Sequence, residues 1–184
     1  MAAKLTAGGN VFLTKENPHL NELIAGFGWK VTTGNGPVTE VVPSAILCGQ
    51  DGKAITDDSL IFFNQMQSPE GSVNYVSKGD KEQIEVSLHE VPATVSKIVF
   101  VVYIDPDVRK PGNFSSVKEA YIHISEAGGH ELTRFEIPND SNVAVTAMVF
   151  GELYRHSDGW KFRAIGQGYS SGLAGVAKDF GVEI

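Results

Sequence analysis

The sequence predicts an all-β fold, a two-sheet β-sandwich with a few short helices, one of them at the C-terminus. Three observations carry that expectation. Short runs rich in β-branched and aromatic residues recur along the chain. Clusters with hairpin and tight-turn chemistry separate them: GQDGK (49–53), SPEGS (68–72), EAGGHE (126–131) and HSDG (156–159). Helical signal is sparse, and many short strands at regular spacing stack most readily as two sheets around one core.

In order, NVFLT (10–14) and GWKVTT (28–33) read as strands, with ENPHLNEL (16–23) ambiguous between them. PSAILC (43–48), SLIFFN (59–64) and IEVSL (84–88) follow. KIVFVVYI (97–104) has no polar alternation, which marks a central strand buried on both faces. FSSVKE (114–119) suits a single turn before AYIHIS (120–125) and LTRFEI (132–137). VAVTAMVFGELYR (143–155) and WKFRAI (160–165) complete the strands. SSGLAGVAKD (170–179) predicts a short C-terminal helix with Ser at its N-cap. No repeat, linker or low-complexity tract interrupts the chain, so residues 1–184 are expected to form one domain.

At 184 residues, with 42% hydrophobic and 20% charged, the chain can bury a proper core. Its net charge of −7 argues against nucleic acid and anionic lipid, which select clustered Lys and Arg. The single cysteine, Cys48, sits in the apolar run AILC and reads as a buried thiol, with no disulfide or Cys-based metal cluster available to it. MAAKLTAGGNVFLTK lacks the apolar core of a signal peptide, and no stretch approaches the roughly 18 apolar residues of a membrane span. A cytoplasmic location is expected.

The tail GQGYSSGLAGVAKDFG (166–181) raises a nucleotide site, because spaced glycines before a helix can cradle phosphate. Its spacing is G-x-G-x-x-x-G, no strand follows to complete a crossover, and Leu173 stands where a phosphate loop needs Lys. A tight turn and close helix packing fit these glycines better. His19, His89, His123, His130 and His156 form no HxH or HxxxH pair, and no G-x-S-x-G elbow marks a nucleophile. The acidic loops are more informative. Glu40, Asp57, Asp58, Glu70, Asp80, Glu82, Asp105 and Asp107 lie at strand ends, where sandwich loops converge and can gather the six to eight oxygens that calcium takes. Solvated turn residues are the plain alternative.

Several blocks together resemble the TerD family of tellurium-resistance and stress-response proteins. The strongest is AMVFGELYRHSDGWKFRAIGQGYSSGLAGVAKDFGV (147–182). VPATVSKIVFVVYIDP (91–106), GNFSSVKEAYIHI (112–124), FFNQMQSPEGSV (62–73), GWKV (28–31) and KLTAGGNVFLTK (4–15) are similar to its other blocks, in order. The resemblance implies a β-sandwich, no known enzymatic activity, a cytoplasmic stress system linked to tellurite, phage and DNA damage, and partners among other Ter-type or stress proteins. It also implies calcium held by acidic and amide loop residues, which adds Asn64, Gln65 and Ser68 to the candidates.

The residues depart from that pattern. Where the family has DLDAS, this chain reads EVVPS, with Glu40 at the first Asp and Val42 at the second. The paired amides become Asn64 and Gln65, SPDGS becomes SPEGS with Glu70, and the long acidic loop shrinks to SKGDKE, leaving Asp80 and Glu82 around Lys81. A valine cannot coordinate calcium, so binding is expected to be weakened or lost at that site. Asp105 and Asp107, followed by Arg109 and Asn113, are a separate candidate pair. The expectation is a non-enzymatic stress protein that acts by binding calcium weakly or by assembling with partners. A nucleotide or cyclic-nucleotide module built on the C-terminal glycines is the alternative.

Overall fold

The computed structural model describes residues 3–31, 40–78, 81–107, 113–138 and 144–184. Its elements are β1 (Ala3–Leu5), β2 (Asn10–Phe12), α1 (Leu13–Glu16), β3 (Glu22–Val31), β4 (Val41–Cys48), β5 (Leu60–Ile61), β6 (Val73–Lys78), β7 (Lys81–Ser87), β8 (Lys97–Ile104), β9 (Val117–Glu126), β10 (Glu131–Glu136), β11 (Ala147–His156), β12 (Gly159–Tyr169) and α2 (Gly172–Phe180). They form two six-stranded sheets, ordered β1-β10-β9-β3-β7-β6 and β2-β12-β11-β8-β4-β5. β1 pairs in parallel with β10, and the other strand pairs are antiparallel. This is the expected sandwich.

The period-2 pattern explains the main core. Ala25 and Phe27, Ile84 and Val86, and Ile122 and Ile124 point from the first sheet toward Ala45 and Leu47, Phe100 and Val102, and Phe150 and Phe162 of the second. Phe27 meets Phe100 edge-on at 6.1 Å between ring centroids. β8 is buried on both faces as its unbroken hydrophobicity predicts. Ile98, Phe100, Val102 and Ile104 face the sandwich interior, while Val99, Val101 and Tyr103 face a second apolar cluster outside the sheet.

That second cluster is roofed by α2. Val176 and Ala177 are buried on its inner face, and each fully buried valine side chain contributes about 1.5–3 kcal/mol. Gly181, at φ 74°, ends the helix: its N–H bonds Lys178 O while the Val182 N–H bonds Ala177 O. This closure drives Val182 into the cluster and leaves Glu183 and Ile184 on the surface.

Several elements differ from expectation for local reasons. NVFLT stays extended only to Phe12, because Leu13 is fully buried and its carbonyl accepts both the backbone and side-chain N–H of Asn17. SLIFFN is a strand only at Leu60–Ile61; Phe62 and Gln65 then exchange backbone hydrogen bonds and close a tight turn. β3 begins at Glu22, ahead of GWKV, with glycines at 26 and 28 that the Tyr121 and His123 rings of β9 cover from outside. Gly166 and Gly168 do not turn off the last strand but lie within it. Gly166 takes φ 78° at the bulge where the β11–β12 register slips between Val149 and Gly151. No helix is long and apolar enough to cross a membrane among the described residues.

Candidate functional site

A cleft of about 750 Å³ opens where the ends of β5, β8 and α2 meet. The loop before β5 supplies one wall. Thr56 Oγ1 accepts the Asp58 N–H at 3.2 Å and Ser59 Oγ accepts the Thr56 N–H at 3.0 Å, so Asp57 is turned outward. Its carboxylate accepts the Glu183 N–H at 2.9 Å, tying this loop to the C-terminus. The tight turn after β5 adds Phe62, Phe63, Asn64 and Gln65. Gln65 donates through Nε2 to the carbonyls of Asp58 (2.7 Å) and Leu60 (2.9 Å), which leaves its amide oxygen available.

The floor comes from β8 and the turn beyond it: Tyr103, Ile104, Asp105, Pro106 and Asp107. Asp105 accepts the Asp107 N–H at 2.9 Å, a local turn that leaves one oxygen of Asp105 and the Asp107 carboxylate unengaged by it. The Tyr103 hydroxyl is buried without a hydrogen-bond partner among the described residues. Burial, then the charges of Asp105 and Asp107, push this phenol up, so it stays protonated. The far wall is the start of α2. Ser171 occupies the expected N-cap position, yet its side chain makes no capping bond, and Gly172, Leu173 and Ala174 of the first turn line the cleft.

The structure therefore gathers five of the sequence candidates, Asp57, Asn64, Gln65, Asp105 and Asp107, in one place. Glu40 is adjacent through its backbone, its carbonyl accepting the Asp105 N–H at 2.9 Å, but it does not line the cleft. Ser68 and Glu70 are engaged elsewhere: the Glu70 carboxylate accepts from Ser68 Oγ and Ser72 Oγ and clamps its own turn. Glu82 accepts from Tyr75 Oη at 2.6 Å and Ser77 Oγ at 2.9 Å across the β6–β7 hairpin. Asn113 caps the turn at Phe114–Ser116, and Asp80 and Arg109 lie outside the described residues. The donor types suit calcium, but no three His, Cys, Asp or Glu side chains come together as a metal cluster among the described residues. An ion there would complete its shell with amide oxygens, carbonyls and water.

Sequence reading missed Tyr103 and Glu183. Tyr103 carries the only side-chain hydroxyl of KIVFVVYI, which was a usable signal; nothing local marks Glu183, which arrives through the closure at Gly181.

A profile of the TerD domain matches residues 1–180. The chain belongs to the TerD family. It is similar to the tellurium resistance protein TerD of Serratia marcescens, 37% identical over 190 residues that span 99% of this chain and 98% of that protein. It is also similar to general stress protein 16U of Bacillus subtilis, 36% identical over the full length of both. A solved structure of a homologue of the telluride resistance protein from Streptomyces coelicolor A3(2) superposes with a TM-score of 0.67 at 19% identity, covering 86% of this chain and 95% of that one. The TerD fold is thus shared well beyond the range of sequence similarity, and the family is one of tellurium-resistance and stress-response proteins.

Proposed function

We propose that this TerD-family protein serves the stress response by binding rather than by turnover, and that the cleft beside α2 is its binding site. The observation that supports this is the convergence of Asp57, Asn64, Gln65, Asp105 and Asp107, drawn from the two segments flanking β5 and the turn beyond β8, on one cavity. Asp105 and Asp107 would hold calcium, with amide oxygens of Asn64 and Gln65, backbone carbonyls and water completing the shell. Asp105 already accepts a backbone N–H, Asp57 is tied to Glu183, and Val42 replaces an expected acid, so the affinity is in the millimolar class. A nucleotide at the first turn of α2 is disfavoured because Asp57, Asp105, Asp107 and Glu183 share the cleft with it and repel phosphate.

Thermal melts in calcium, magnesium and EDTA test the reading. A Kd of about 1 mM gives about 1.4 kcal/mol of stabilisation at about 10 mM calcium. That is about 3–6 °C in Tm for a chain of this size. Superimposable curves in calcium and EDTA would remove calcium from the function.

A further inference from the structure

We propose that the cleft binds a small organic cation, an ammonium group on an apolar body. The Tyr103 oxygen and the carboxylates of Asp105 and Asp107 surround the charge, and Phe62 and Leu173 contact the body. The proposal rests on reading this cleft as a binding site, and not on calcium.

Tyr103 is only 2% exposed, yet its hydroxyl has no partner among the described residues. Buried polar side-chain atoms are overwhelmingly hydrogen-bonded, so an orphan at the floor of a cavity points to a group that the protein alone does not supply. The cavity's size lies in the range of small-molecule sites. Four acidic residues line it, Asp57, Asp105, Asp107 and Glu183, and no described lining residue is basic. The potential therefore selects a positive charge. A bare metal ion would leave the apolar wall unused. Phe62 and Phe63 meet edge-to-face at 5.4 Å, offering an aromatic surface suited to an ammonium or its hydrocarbon. The hydroxyl stands just behind the cleft surface, so binding includes a small shift of lining side chains.

The test is calorimetry and amide NMR on the full chain in EDTA, using phenethylammonium as probe. 3-Phenylpropionate has a comparable body with opposite charge, and ethylammonium has the charge without the body. Phenethylammonium is expected to saturate at millimolar concentration or below, with shifts confined to residues 57–65, 103–107 and 170–174. Ethylammonium should bind about tenfold weaker and 3-phenylpropionate should not saturate. Tyr103→Phe should keep or raise the Tm of the free protein, because it deletes an unsatisfied group, while weakening phenethylammonium about tenfold. Asp105→Asn should independently weaken phenethylammonium several-fold while leaving 3-phenylpropionate unsaturated, because three acidic residues still line the cleft. Equal binding of the anion, unchanged affinity in both variants, or no saturable shift overturns the proposal. Amine binding without a calcium-dependent Tm shift would leave it standing while the calcium reading falls.

Discussion

Replacing Val42 with Asp supplies the acid that the family resemblance leads one to expect at this position, and the structure says what that costs. Val42 is 8% exposed, stands in register opposite Tyr103, and belongs to the apolar cluster under α2. Losing its burial removes about 1.5–2 kcal/mol. Placing a carboxylate there adds about 1–3 kcal/mol of desolvation, in a region where Asp105 and Asp107 already contribute negative charge. Without metal, Val42→Asp should therefore lose about 3–5 kcal/mol at neutral pH, or about 6–20 °C in Tm. The new carboxyl is held above its ordinary value in the folded state. Its penalty is therefore absent at acid pH and grows as pH rises through the ordinary aspartate range near 4. With the acid restored, calcium should bind tightly enough that about 10 mM approaches one hundred times Kd, recovering about 2.7 kcal/mol. Scanning calorimetry and circular dichroism in EDTA, calcium and magnesium read both effects, including refolding on calcium if the variant is unfolded without it. A variant whose curves coincide in calcium and EDTA would refute the assignment of position 42 to an ion site.

Three other outcomes follow from the packing. Gly151→Ala would place a Cβ 2.5 Å from the Phe162 ring and 2.7 Å from the Arg163 carbonyl, so chemical denaturation should show a loss of about 2–4 kcal/mol. Burial would raise the Glu70 carboxyl, but hydrogen bonds from Ser72 and Ser68 outweigh it and hold it below its ordinary value of 4.5. The resulting stability is present above that value and is lost as pH falls through the lower folded one. Ser72→Ala should therefore destabilise more at pH 7 than at pH 3 in urea melts, and an equal gap at both would contradict the clamp. Cys48 is fully buried and, chiefly by burial, its thiol is pushed up to about 12. Native protein should leave a thiol reagent unreacted until denaturant is added.

The sequence by itself determined the layer architecture, the central strand and the family. Alternating residues such as Ile122 and Ile124 have to share a face, and KIVFVVYI can only be sealed on both sides. Turn chemistry marked the β9–β10 and β11–β12 hairpins because glycine and the short polar residues act within a few positions of themselves. What local pattern could not assign was membership of the cleft. Asp57 and Glu183 are 126 positions apart and meet only because α2 folds back over β4 and β8 and is closed at Gly181. Glu70 and Glu82 looked equivalent to Asp57 in the chain, yet neighbouring hydroxyls capture both before they can face a shared site. Backbone periodicity is a local property that a sequence displays directly. A site is a coincidence of distant side chains, and strand order together with the path of the last helix decides it.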